Sequence, residues 1–246
     1  MKRSFSVDKV WNLWHGCNKK SEGCLHCYVF RRDAEFDIDS TFIRKTRSFD
    51  LPIRRNRRGG YKIPSGTLML TCFSSDFFIE EADAWRIEAW QMIRMRRDLH
   101  FFIITKRPER IISSLPSDWG SVGYENVTIC CTIENQIRSD ERLPIFQILP
   151  LPHKMIICEP LLESIDFHGQ LSSWCEKVIV GGESGPQARP CHYEWILAIR
   201  EQCLQARVPF YFKQTGANFH KEGIAYQIAR SLQLQQAQRA GIDYLP

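Results

Sequence analysis

Apolar positions along the chain fall into short runs that are hydrophobic almost throughout rather than alternating with polar ones. The clear cases are Thr67–Cys72, Phe101–Thr105, Val127–Ile133, Lys154–Cys158, Lys177–Val180 and Pro209–Phe212, and a shorter run, Lys9–Trp14, precedes them. Runs of that kind suit parallel strands covered on both faces. Longer segments of helical period lie between them. Glu80–Arg97 opens with Glu80, Glu81 and Asp83 and closes with Arg94, Arg96 and Arg97, charges that suit both ends of the helix dipole. Trp85, Ala89, Met92 and Ile93 give it one apolar stripe. Glu134–Phe146 is a second predicted helix, stopped near Pro150 and Pro152. Tyr193–Gln205 is a third, with Ile196, Ile199 and Cys203 on one side and Pro209 beyond its end. The Gln-rich tail, 222–246, reads as a C-terminal helical appendage.

Strand–helix alternation over most of the length predicts an α/β fold. About six to seven parallel strands in 246 residues suit a complete or partly open (β/α) barrel, TIM-barrel-like, with a doubly wound open sheet as the alternative. No repeat, low-complexity segment or linker divides the chain, so residues 1–246 are expected to form a single domain. Polar residues recur where the predicted strands end. Ser74, Ser75 and Asp76 follow the second strand, and Lys106 and Arg107 the third. Thr132, Glu134 and Asn135 close the fourth, and Glu159 the fifth. Gly181, Gly182, Glu183 and Ser184 follow the sixth, and Lys213 and Gln214 the seventh. In a parallel barrel those ends share the face where such folds do chemistry.

Composition narrows the function classes. Apolar residues are 43% and charged residues 25%, ordinary for a soluble globular protein. No apolar run approaches the roughly 18–20 residues that span a bilayer, and Met1–Asp8 lacks a signal-peptide stretch. A cytoplasmic protein without a membrane is expected. The formal charge of +5 is unevenly spread: Arg44, Lys45, Arg47, Arg54, Arg55, Arg57, Arg58 and Lys62 stand against Asp50 alone between Arg44 and Lys62. Such a run reads either as a solvated loop or as a track for a nucleic-acid backbone.

Of the ten cysteines, Cys72, Cys130, Cys131 and Cys158 sit within predicted strands and read as small core hydrophobes. Cys175 and Cys203 read as structural too, and Cys191 has no assignment. Cys17, Cys24 and Cys27 share one loop as C-x6-C-x2-C, flanked by Gly16 and Gly23. Clustered thiolates favour zinc, copper(I) or iron–sulfur. Three ligands on a four-iron cube leave one iron open, as a catalytic site requires. Structural zinc on the three cysteines with His15 or His26 is a competing reading, and so are three free thiols. A metal-dependent hydrolase ranks last, because the histidines are scattered.

These residues also carry a family resemblance. Trp11-Asn12, Gly16-Cys17, Gly23-Cys24 and Cys27-Tyr28 resemble the signature of the phage Gp37/Gp68 family, three-Cys-motif proteins classed as a domain of unknown function. The likeness continues through Asp76, Thr105-Lys106-Arg107-Pro108, Glu134-Asn135-Gln136, Cys158-Glu159-Pro160-Leu161-Leu162, Gly181-Gly182-Glu183-Ser184-Gly185, Ala188-Arg189-Pro190 and Phe212-Lys213-Gln214. That family in turn resembles radical S-adenosylmethionine (radical SAM) enzymes, although their usual motif is C-x3-C-x2-C. The resemblance implies a 4Fe-4S cluster on Cys17, Cys24 and Cys27 and S-adenosyl-L-methionine on its open iron, cleaved reductively to a carbon radical. It implies His26 near the adenine, and Asp76 at the amino group or ribose hydroxyls with Ser74 and Ser75 assisting. Lys106 or Arg107 would meet the carboxylate, and Gly181 and Gly182 would admit the ligand to the backbone. Glu134, Glu159, Glu183 and Lys213 are then the catalytic candidates on an unassigned substrate. A reductant such as flavodoxin or ferredoxin, and a partner protein encoded nearby, are implied as well. The alternative is a nucleic-acid-binding module with a structural metal site, using the Arg44–Lys62 run.

Overall fold

The computed structural model describes residues 9–246; the reading of Met1–Asp8 as lacking a signal-peptide stretch lies outside them. In chain order, β1 (Lys9–Trp11) and β2 (Trp14–His15) precede α1 (Tyr28–Ala34), β3 (Arg44–Lys45) and β4 (Leu68–Thr71). Next come α2 (Asp83–Met95), β5 (His100–Thr105), α3 (Ile111–Ser114), β6 (Val127–Thr132), α4 (Gln136–Gln147), β7 (His153–Cys158) and β8 (Lys177–Gly181). The chain ends with β9 (Cys191–His192), α5 (Tyr193–Ala206), β10 (Phe210–Gln214), β11 (Asn218–Lys221), β12 (Ile224–Gln227) and α6 (Gln233–Ala240).

Seven strands form one sheet in the order β1-β4-β5-β6-β7-β8-β10, and these are the seven apolar runs of the sequence. The pairs β1/β4, β4/β5, β7/β8 and β8/β10 run parallel. Each new strand adds on the same side of its predecessor, so the order never reverses. A doubly wound sheet reverses at a switch point. The winding is therefore that of a partly open (β/α) barrel, and the doubly wound alternative falls away. Because the strands are parallel, polar residues after β4, β5, β7, β8 and β10 all stand at strand C-terminal ends.

The chain divides into two compact units. The first comprises Met1–Asn18, Arg32–Cys130 and Leu149–His153. Its core is aromatic: Trp14 packs 5.4 Å from Phe77, Phe77 5.0 Å from Trp90, Trp90 5.3 Å from Trp119, and Trp119 4.8 Å from Tyr124. Helix α2 buries Ala89, Trp90, Met92 and Ile93 against it. Arg96, 1% exposed at the end of α2, is saturated rather than stranded. Its guanidinium donates to the carbonyls of Pro52 and Ile63 and to both oxygens of Asp98, and it lies 4.1 Å over the Tyr61 ring. A buried cation needs such a full set of partners.

The second unit comprises Lys19–Arg31, Cys131–Ile148 and Lys154–Pro246. Helix α4 starts two residues later than the sequence suggests, because Asn135 is extended and caps it, accepting from Arg138 N at 2.9 Å. Helix α5 buries Ile196, Ile199 and Cys203, the side its periodicity marks. The tail is not one helix. Glu222 and Gly223 take positive φ and turn the chain, so β12 pairs antiparallel with β11 before α6 forms with Gln233 and Ala237 buried. Tyr244 then exchanges two backbone hydrogen bonds with Phe210 on β10. Among the described residues no helix is long and apolar enough to cross a membrane.

Candidate functional site

Cys17 leaves β2 through Gly16, whose φ of +94° is open to glycine and whose missing Cβ makes room for the Phe42 carbonyl. Polar residues after β4 hold this turn. Gly16 N donates to Ser74 O at 3.3 Å, Ser75 Oγ donates to Gly16 O, and Ser74 Oγ donates to Trp14 O at 3.0 Å. Cys17 N donates to Ser40 O at 2.7 Å, and its Sγ is 3.5 Å from Asn18 O.

Asp76, 5% exposed, is the hub beneath them. Its Oδ1 accepts from Phe78 N (2.9 Å) and Thr105 Oγ1 (2.8 Å), and its Oδ2 from Lys106 N and Arg107 Nη1 (both 3.0 Å). Arg107 Nη2 reaches on to Asn18 O at 2.7 Å. Ser74, Ser75, Asp76, the Lys106 backbone and Arg107 are thus gathered, and in this arrangement they brace the segment that carries Cys17. A ligand ammonium or carboxylate at Asp76 or Arg107 would have to take over bonds now made within the chain.

In the second unit Cys24 closes a short 3-10 turn, Glu22–Cys24, and Cys27 lies three residues on, immediately before α1. Ser21 Oγ donates to Glu134, and the buried Gly23 packs on the same carboxylate so closely that a Cβ would overlap it. Arg138 forks the Glu22 carboxylate at 2.7 and 3.0 Å, and these bonds hold its pKa down at about 2. Arg189 Nη1 donates to Glu22 O at 2.9 Å. Cys27 O accepts from Arg31 N at the start of α1. His26 is half-buried, within electrostatic reach of Glu183.

The strand-end carboxylates of this unit are each joined to a cation. Glu134 is fully buried and meets Arg142 Nη1 at 2.6 Å. Glu159 accepts from Lys213 Nζ at 2.6 Å and from Gln214. Glu183 accepts from Arg189 Nε (2.9 Å), Nη2 (2.6 Å) and backbone N (3.0 Å). Burial pushes the Glu183 carboxyl up, but the Arg189 bonds outweigh it and leave the group below its ordinary value. Gly182 is filled by protein, since a Cβ there would strike the Thr215 carbonyl.

The sequence reading missed Ser21, Glu22, Arg138 and Arg142. A signal was present in part: Arg138 and Arg142 stand four residues apart, so α4 sets both on one face, while Glu134 precedes its cap.

The thiols fall into two classes. Cys17, Cys24 and Cys27 are half-buried and the other seven are buried. Burial pushes Cys72, Cys158 and Cys203 well up and takes Cys175 and Cys191 to about 12, which keeps them protonated and inert. Among the described residues no group of three or more His, Cys, Asp or Glu side chains is arranged as a metal site. The donor chemistry of the loop nonetheless fits a soft metal centre: three unbridged, accessible thiols within eleven residues.

Fold and site together define a parallel α/β protein with a braced loop of accessible cysteines. The chain matches, over residues 5–242, the model of a family described as "Protein of unknown function (DUF5131)", and it belongs to that family. Neither the phage family name nor a radical SAM likeness comes with that match. No curated protein and no solved structure matches the chain.

Proposed function

We propose that the chain is a radical S-adenosylmethionine-type enzyme in which Cys17, Cys24 and Cys27 hold a 4Fe-4S cluster. The observation that carries this reading is the division of the cysteines: of ten, the three of the C-x6-C-x2-C loop are the ones not buried. When bound, such a cluster supplies an open iron and an electron for reductive cleavage of a carbon–sulfur bond in S-adenosyl-L-methionine. The chain's own part is positioning. Asp76, Arg107, Ser74 and Ser75 fix the backbone at Cys17. Glu134, Arg138 and Arg189 fix the turn at Cys24. Ligands held this way lose little freedom on binding metal. His26 beside Cys27 is the group proposed to lie near the adenine, and Glu159–Lys213 and Glu183–Arg189 are the charge pairs proposed to handle ligand or substrate. The proposal carries with it a cytoplasmic setting, a flavodoxin- or ferredoxin-like reductant and a separately encoded partner.

A nucleic-acid-binding module with a structural metal is the competing reading, favoured by exposed Arg55, Arg57, Arg58 and Lys62 within the basic run. Anaerobic reconstitution with iron and sulfide separates the two. The enzyme reading expects about four iron and four sulfide per chain, lost in the Cys17/Cys24/Cys27→Ala triple variant. Retention of one zinc with no bound sulfide contradicts it.

A further inference from the structure

A cavity of about 640 Å³ in the first unit is lined by Asn12, Arg32, Phe36, Arg44, Lys45 and Arg47, among others. Among the described residues its one lining carboxylate, Asp33, is 1% exposed and already bonded to His15 (2.6 Å), Ser40 (2.6 Å) and Arg32 (3.1 Å). Lys45 is neutralised by Glu88 at 2.6 Å. Arg44 and Arg47 make no ion pair among the described residues, and Arg44 Nη1 reaches only the Phe42 carbonyl at 3.4 Å.

A basic hairpin continues from this cavity. Arg54 donates to the carbonyl of the cavity residue Arg47 and pairs with Asp50, and Lys62 N returns to Arg54 O at 2.8 Å. Asn56 N to Gly60 O at 2.8 Å closes the tip, and Arg55 stacks 4.7 Å over Tyr61. Tyr61 is in turn held under buried Arg96. Exposed Arg57 and Arg58 stand at that tip. Of the eight cations from Arg44 to Lys62, Lys45 and Arg54 are ion-paired; the other six, Arg44, Arg47, Arg55, Arg57, Arg58 and Lys62, make no close ion pair among the described residues, although Asp39 lies within electrostatic reach of Arg44 and Asp50 of Lys62.

We infer that this cavity and hairpin bind a single strand of nucleic acid, with Arg44 and Arg47 on a phosphodiester in the cavity and the hairpin tip on neighbouring phosphates. One phosphate cannot use six cations spread over a cavity and an adjoining hairpin, whereas a strand presents phosphates in series. Phe36, lining the same cavity with 69% of its surface exposed, offers a ring for base stacking, which an acidic peptide would leave unused. The hairpin is anchored rather than loose, so its cations are held ready for a ligand. This assignment is independent of the cysteine loop and its chemistry.

The test is fluorescence anisotropy of a labelled single-stranded oligonucleotide of about 12 nucleotides, as DNA and as RNA, across roughly 50–200 mM salt. Saturable binding that weakens with salt is expected. Arg44→Gln/Arg47→Gln and Arg57→Ala/Arg58→Ala should each flatten the log–log salt slope by about 1.4, from about 0.7 per lost phosphate contact. Phe36→Ala should weaken binding about tenfold with the slope unchanged. Circular dichroism melts confirm that the variants fold. Absence of saturable binding at the lowest salt overturns the inference, as does equal binding of polyglutamate. Binding of a free nucleoside triphosphate without binding of the strand overturns it too, and so does binding that neither double variant alters.

Discussion

Replacing Asp76 by asparagine keeps the size of the side chain and removes its charge. Oδ1 can still accept from Phe78 N and Thr105 Oγ1. The new amide NH2, however, faces Lys106 N and Arg107 Nη1, donor against donor, and both lose the Oδ2 acceptor. Arg107 and Asp76 are each under one-tenth exposed, so water cannot replace the lost oxygen. Each unsatisfied buried donor costs about 1–3 kcal/mol, and breaking a buried ion pair by removing one partner costs about 3–5 kcal/mol. The two estimates describe the same loss and agree on about 3–5 kcal/mol. For a chain of this size about 2–4 °C accompanies each kcal/mol, so the melting temperature should fall by roughly 6–20 °C. Differential scanning calorimetry reads it. Arg107→Ala should add much less than its own cost in the Asp76→Asn background, because the pair is already broken. Cys17 should also react faster with a thiol reagent, since Arg107 no longer fixes Asn18. A fall of less than about 3 °C, or additive single-variant losses, would refute the view of Asp76 as the brace of this loop.

Other consequences are as direct. A thiol-reactive disulfide reagent should modify three of the ten cysteines in the native metal-free protein and all ten in denaturant, with the triple Cys17/Cys24/Cys27→Ala variant unreactive when folded; faster reaction of any buried thiol would contradict the burial pattern. Gly23→Ala puts a methyl 2.5 Å from Glu134, which Arg142 pins, and should destabilise by about 1–3 kcal/mol while raising the alkylation rate of Cys24; an unchanged melt would refute the packing. Glu22 has a folded pKa of about 2 against an ordinary 4.5, and Asp98, held by Arg96, about 2 against 3.8. Depressed carboxyl values stabilise above the unfolded pKa and lose that contribution as pH falls through the folded one. Stability should therefore drop between about pH 4.5 and 2, and Arg138→Ala should remove the Glu22 share, read as a shallower pH dependence of the melting temperature. A slope unchanged by Arg138→Ala would show that Glu22 is not held by that guanidinium.

The seven-stranded sheet was legible because its strands are apolar almost end to end, most of all β5, β6 and β8, which are buried along nearly their whole length. Helices α2, α4 and α5 were legible through periodicity and charge at their ends. The tail was misread because its glutamines favour helix while the turn at Glu222–Gly223, which makes β12 possible, is a two-residue feature inside a long polar stretch. Helix α1, only seven residues and next to the cysteines, carries too little pattern to be seen. The strand-end carboxylates were found from their position after apolar runs. Lys213 and Gln214, the partners of Glu159, were named with them, but the pairing of Arg189 with Glu183 and of Arg142 with Glu134 arises through loop geometry and tertiary folding and was not. The half-exposure of three thiols among ten is likewise a product of the fold, although their shared loop marked them out beforehand.

Electron paramagnetic resonance of the anaerobically reconstituted, dithionite-reduced protein, recorded with and without S-adenosyl-L-methionine, tests the central claim most directly. A reduced 4Fe-4S signal that S-adenosyl-L-methionine perturbs, and that the Cys17/Cys24/Cys27→Ala variant lacks, is the predicted result. No reducible cluster in the wild-type chain, or a cluster signal that persists without the three cysteines, would contradict it.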